Sequence, residues 1–291
     1  MARRALGSIR SAQVLRGKRE RALFRELQAQ AVALRENFTR FLNSSDLLAD
    51  MAREGRRLEP SSNGQQTKAE VDVPADVAAI VARALNRARP LWDEFEANVR
   101  ASLLSEEIKA FEAGAQGAMR QIGFQGVFDL QNPRVLDYLA TRTNMLAGGI
   151  SDTSFDAIRE TIIKGFFVEG RGPLDVARDL RNEFSFLSGP RSRTIARTET
   201  LIATEQGQFE QWYVIGVEQK RWMSVRDANT RPWHLEADGQ TVDLFEPFIV
   251  NGEEMMHVGD PTASPENIIN CLCGDGPVID TGTVREPWLG E

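Results

Sequence analysis

The spacing of apolar residues changes once in this chain, at Gly216, and that change constrains the fold more than any other feature. From Ser11 to about Leu58, Leu23, Leu27, Val32, Leu34, Phe38, Phe41, Leu42 and Leu48 recur at helical intervals with Arg and Glu between them. Asn43-Ser44-Ser45-Asp46 should divide this run, because short polar side chains compete for backbone hydrogen bonds. Residues 60–74 (PSSNGQQTKAEVDVP) are polar and turn-forming and read as a linker. Helical spacing resumes near Ala75 and passes through Val81, Leu85, Leu91, Phe95, Val99 and Leu103 toward Met119, with Pro90 as an interruption. Further helices are expected from Asn132-Pro133 to Gly148-Gly149, from Asp152 or Ser154 through Phe166, after Pro173, and from about Arg191 to Ile215.

Beyond Gly216 the pattern is strand-like, at Val217–Val225, at 240–244 and at 248–250, with Asp238-Gly239 as a hairpin turn signal. The expected class is therefore α+β: a long helical N-terminal two thirds followed by a small strand-containing C-terminal module. The expected divisions are a basic helical segment over 1–59, the linker over 60–74, a helical arm over 75–130, and a C-terminal domain over 131–291.

Charge separates the two ends. Residues 1–60 carry 13 Lys/Arg against 7 Asp/Glu, whereas 221–291 carry 4 against 13. Arg3, Arg4, Arg10, Arg16, Lys18, Arg19, Arg21 and Arg25 stand against Glu20 alone, a pattern suited to a phosphate backbone or an acidic protein surface. Sequence-specific DNA reading is not expected. The last long helix carries Glu199, Glu205 and Glu210, and the stretch from Phe184 to Pro190 exceeds a helix-turn-helix turn. No run of eighteen apolar residues exists, so no membrane partner is expected. The basic N-terminus lacks the apolar core of a secretory signal, and two cysteines are too few for a disulfide scaffold, so a reducing cytoplasm is the expected site of synthesis.

Both histidines and both cysteines of the chain fall within forty residues, as His234, His257, Cys271 and Cys273. Imidazole and thiolate are the donors that tetrahedral zinc prefers, which makes these four a candidate metal set. Their spacing is unlike the paired ligands of familiar zinc modules, since only Cys271 and Cys273 are close. The alternative is two cysteines packed as small apolar groups and histidines bonded to turns. Asp227 with His234 could also act as an acid–base pair. Arg197 and Glu199 read as an ion pair or clamp tying the last helix to the strand module, with no catalytic motif around them.

Ala196-Arg197-Thr198-Glu199, Arg221-Trp222, Asp227, Thr230-Arg231-Pro232-Trp233-His234, Asp238-Gly239, Phe248 and Asn270-Cys271-Leu272-Cys273 follow one another over about eighty residues. In this order they resemble the phage Mu F-like head morphogenesis, or minor head, protein family. The resemblance marks Arg197, Glu199, Trp222, Asp227, Arg231, Asp238, Gly239 and Asn270 as motif positions. Some relatives have Cys-x-x-Cys where this chain has Arg231-Pro232-Trp233-His234. The resemblance implies a minor capsid component of the virion, inside the head near the portal vertex and made in the bacterial cytoplasm. It would act in head assembly and in DNA packaging or ejection, with the portal protein, scaffold or other internal head proteins and packaged DNA as partners. Two other readings stay open: a metal-dependent hydrolase or nuclease built on the His234/Cys271/Cys273 region, and a non-specific DNA-binding accessory protein.

Overall fold

The computed structural model describes residues 2–44 and 75–278. The expected linker over 60–74, and the apolar positions Leu48 and Leu58, lie outside the described residues. Helix α1 spans Ala2–Ser44, the last residue described before 75, so the expected division at 43–46 falls at the edge of the described residues. Helices α2 (Ala75–Asn86) and α3 (Arg89–Ile122) are separated at Arg87-Ala88. Pro90 thus falls in the first turn of α3, where an amide donor has no intrahelical acceptor and its loss costs nothing.

Helix α4 (Pro133–Ile163) differs from expectation, because it runs straight through Gly148-Gly149. A buried stripe at Thr143, Ala147, Ser151, Ser154, Ile158 and Ile162 continues across the glycine pair, so packing overrides a propensity penalty of about 1 kcal/mol per glycine. Thr153 and Ser154 donate their hydroxyls back to the carbonyls of Gly149 and Ile150, each at 2.5 Å, instead of capping a new helix. A π-helical turn at Lys164–Val168 leads to α5 (Pro173–Phe186). A second, at Leu187–Arg191, accommodates Pro190 and joins α5 to α6 (Ser192–Ile215).

Strand β1 (Gln219–Met223) forms the centre of a three-stranded antiparallel sheet, between β2 (Thr241–Asp243) and β5 (Gly274–Val278). Between β1 and β2 lies the short helix α7 (Pro232–Glu236). Asp238-Gly239 closes that helix and is not a two-residue hairpin, contrary to expectation. The tight hairpin is Asn251-Gly252, joining β3 (Phe248–Val250) to β4 (Glu253–Met255). Both turn residues have positive φ, 52° and 77°, as a type I′ turn requires. Helix α8 (Pro265–Ile268) precedes β5.

Two compact units are each assembled from separated stretches of chain. One comprises Arg25–Leu103 and Ala140–Arg193, and among its described residues every regular element is a helix. Its core holds Leu27, Ala31, Leu34 and Phe38 on one stripe of α1, with Trp92 and Phe184 against Phe38 and Phe155 against Trp92. Trp92 meets Phe38 and Phe155 edge-on, at centroid distances of 5.0 and 5.2 Å.

The other unit comprises Met1–Phe24, Leu104–Leu139 and Thr194–Glu291 and contains the strand module. Its helices α3 and α6 touch backbone to backbone. A Cβ placed on Gly114 would lie 1.9 Å from the Thr204 carbonyl oxygen, and one on Gly207 would lie 2.1 Å from that of Phe111. Gly207→Ala should therefore destabilise the protein by about 3 kcal/mol in urea unfolding, because backbone cannot retreat as a side chain can. Gly148→Ala, where a Cβ meets nothing within 4 Å, should stabilise by roughly 0.5–1 kcal/mol in the same measurement.

Candidate functional site

Helix α6 is buried on nearly every side from Thr198 to Trp212 although it carries Thr198, Glu199, Thr200, Glu205, Gln208 and Gln211. An all-round buried helix with polar side chains is stable only if those side chains find partners inside. They do. Arg16 from α1 donates to Glu205 Oε1 at 3.0 Å and to the carbonyls of Leu272 and Cys273 at 3.1 and 3.3 Å. Gln208 Nε2 donates to Asp275 Oδ1 at 2.8 Å and Gln121 donates to Gln208 Oε1 at 3.0 Å. The Thr198 hydroxyl accepts the amide of Asn270 at 3.2 Å. Burial pushes the Glu205 carboxyl well above its usual range, Asp275 adds to the rise, and Arg16 opposes it.

The expected pairing of Arg197 with Glu199 is not formed. Two residues apart on a helix they face different ways; Arg197 bonds Glu20 of α1 at 3.3 Å, while Glu199 is buried. Thr198 of that motif reaches the strand module through Asn270, whose positive φ of 56° turns the chain toward the cysteines.

Other motif positions form the frame of the strand module. Trp222 is fully buried and packs edge-on against His234 and Phe248, at 5.4 and 5.5 Å. Asp227 accepts from the Asn229 amide and the Thr230 hydroxyl, both at 2.9 Å, and so closes a turn. It is bonded within that turn and not to His234, which removes the expected acid–base pair. Arg231 donates to the Ile269 carbonyl at 2.6 Å. Asp238 accepts the Ser224 amide at 2.7 Å and the guanidinium of Arg226. Burial disfavours the charged carboxylate and pushes its pKa up, but the Ser224 amide and Arg226 outweigh this and hold the carboxyl below the usual range.

Three of the four candidate metal donors come together. His234 Nδ1 lies 3.6 Å from Cys271 Sγ and 3.5 Å from Cys273 Sγ. The three donor atoms are within 4.8 Å of one another, and all three residues are buried. The sulfurs are not joined in a disulfide. Cys271 is drawn well below the ordinary thiol range, chiefly by the Cys273 side chain, against burial and with help from His234. Cys273 moves the opposite way, from its contact with Cys271 and from burial. Such a trio can donate to a soft metal ion. His257 does not join it: its Nδ1–H donates to the Val258 carbonyl at 3.0 Å, and Nε2 meets Gln206 Oε1 at 2.8 Å. His257 is therefore a structural position.

The expected basic face is reduced in the same way. Arg16 is an internal ligand of Glu205 and the Leu272-Cys273 backbone, not a phosphate contact. Lys18, Arg21 and Arg25 are exposed, Arg19 is half-buried, and the side chains of Arg3, Arg4 and Arg10 lie outside those described.

Lys220 was not singled out by its sequence context, although its inward position on β1, in phase with Trp222, was the available signal. It is fully buried, donates to the carbonyls of Leu244 and Met256 at 2.7 and 2.5 Å, and lies over the rings of Phe209 and Phe248. Burial lowers it to about 8 despite Asp275, Asp260 and Glu246.

Residues 156–274 match the family model described as Phage Mu protein F like protein. Over 127 residues the chain is 32% identical to the NAD(+)--arginine ADP-ribosyltransferase EFV of Enterococcus faecalis (strain ATCC 700802 / V583), covering 42% of this chain and 26% of that protein. Over 178 residues it is 25% identical to the uncharacterized protein YqbB of Bacillus subtilis (strain 168), covering 60% of this chain and 58% of that one. The chain spans less than two thirds of the length of either curated relative. No solved structure matches it.

Two consequences are measurable. Arg16→Ala leaves a buried carboxyl without its cation and should cost roughly 3 kcal/mol in urea unfolding, a loss that shrinks in a Glu205→Gln background. For Lys220, the folded state releases its proton near pH 8 and the unfolded state near 10.5, so in that window the unfolded chain holds more protons. Stability contributed at Lys220 therefore rises with pH. The unfolding free energy of the wild type relative to Lys220→Met should increase across the window by up to about 3 kcal/mol.

Proposed function

We propose that this chain, Mu F-like over residues 156–274, is a minor protein of a phage head that works by assembling with other head proteins rather than by catalysis. The observation that carries this reading is the coincidence of the Mu F-like stretch with an internally bonded construction. Within it, Arg197, Thr198, Asp227, Arg231, Asp238 and Asn270 bind one another's surroundings and the backbone. Motif residues spent on internal contacts suit a module presented as a rigid body.

In this reading the protein is packaged in the virion near the portal vertex, with the portal protein and other internal head proteins as partners, and helps DNA enter or leave. The acidic C-terminal quarter, with 13 Asp/Glu against 4 Lys/Arg over residues 221–291, favours contact with protein over contact with bare DNA there. The transferase activity in the name of the E. faecalis relative belongs to a protein of which the matched stretch is 26%, and nothing in the geometry around His234 or Glu205 favours carrying it over.

The test is deletion of the gene from the phage or prophage that encodes it, with complementation. Purified wild-type particles should contain the chain by mass spectrometry, and its removal should yield heads deficient in packaging or infectivity. Particles that lack the chain and are made and infect normally without it would overturn the reading.

A further inference from the structure

We propose that His234, Cys271 and Cys273 form a buried zinc-class metal site that staples α7 to the segment entering β5. Two of the three donor separations already fit the corners of a tetrahedral zinc site. With zinc–sulfur and zinc–nitrogen lengths of about 2.3 and 2.0–2.1 Å, tetrahedral angles separate a sulfur from a nitrogen by roughly 3.5–3.6 Å. The observed separations are 3.5 and 3.6 Å, from one imidazole nitrogen to both sulfurs.

Charge balance leads to the same assignment. Two thiolates, a neutral imidazole and a divalent cation sum to zero, so the ion would add no unpaired charge to a site whose ligands are at most 3% exposed. Magnesium and calcium require oxygen donors, and the trio offers only nitrogen and sulfur. The fourth corner would be completed by a non-protein ligand such as water.

The surroundings hold the donors in place. The Val225 backbone amide bonds Cys273 and stabilises its charged form, and the positive charge of Arg16 acts in the same direction. Arg16 also fixes the Cys271-Leu272-Cys273 backbone through the Leu272 and Cys273 carbonyls. His234 Nε2 has no hydrogen-bond partner, so its ring is oriented by packing: Trp222 and Trp233 stand edge-on to it at 5.4 and 6.3 Å. The staple would close the 37 residues between His234 and Cys271, a span with short strands and a small core.

The experiment uses the full chain, purified without chelator from zinc-supplemented cells, with metal quantified after gel filtration and cobalt titrated into metal-stripped protein. About one zinc per chain is expected, with thiolate-to-cobalt charge-transfer absorption and the visible bands of a tetrahedral ion. Chelator should lower the melting temperature by roughly 5–10 °C, reversed by zinc. The Cys271→Ser/Cys273→Ser double variant should lose the metal. Because removing buried thiols can unfold the module, two ligand exchanges give an independent readout. The charge-transfer intensity should rise by about half in His234→Cys, with three thiolates, and fall by about half in Cys271→His, with one. Folded wild-type protein that holds no zinc and develops no charge-transfer band with cobalt would overturn the proposal. So would cobalt spectra unchanged by the exchanges, or purified chain whose two cysteines are oxidised to one another.

Discussion

In the strand-containing unit α3 meets α6 backbone on backbone, through Gly114 and Gly207. With no Cβ on either side the two helices approach to a distance that side chains would forbid. That approach makes α6 a central helix, buried nearly all round. The remaining features of the unit follow from the need to satisfy such a helix. Its polar residues cannot reach water, so Arg16, Gln121, Asn270, Asp275 and His257 must supply their partners from four other parts of the chain.

The same requirement explains how a small strand module holds its shape. Its described strands form one three-stranded and one two-stranded sheet, all short, and its apolar core is centred on Trp222, Phe248, Val250 and Met255. Most of its loops are tied by side chains to backbone: Asp227, Asp238 and Asp260 each close a turn, Arg231 holds the Ile269 carbonyl, and Lys220 bridges Leu244 and Met256. Lys220 shows how far this goes, since its ammonium is buried among aromatic rings and carbonyl oxygens at the expense of its own proton affinity.

Much of the helical part was legible residue by residue. The break before Pro90 and the opening of α4 at Pro133 lie where local chemistry demands. Gly148-Gly149 misled because glycine lowers helix propensity by about 1 kcal/mol while an uninterrupted buried stripe outweighs it. Asp238-Gly239 misled for a related reason: the dipeptide specifies a turn but not which elements it joins, and here it ends α7 while Asn251-Gly252 makes the hairpin.

At the candidate site the division is sharper. The sequence by itself determined that the only imidazoles and thiols lie in the last third, that helix gives way to strand at Gly216, and that a series of Mu F-like motifs spans the junction. Only the tertiary structure decided which of those groups meet. It brought His234 to Cys271 and Cys273 across 37 and 39 residues, bonded His257 to Gln206, and gave Arg197 to Glu20 and Arg16 to Glu205. The physical reason is range. Helix periodicity and turn chemistry act over a few neighbouring residues, whereas ligand sets and buried ion pairs depend on where distant segments are carried by packing.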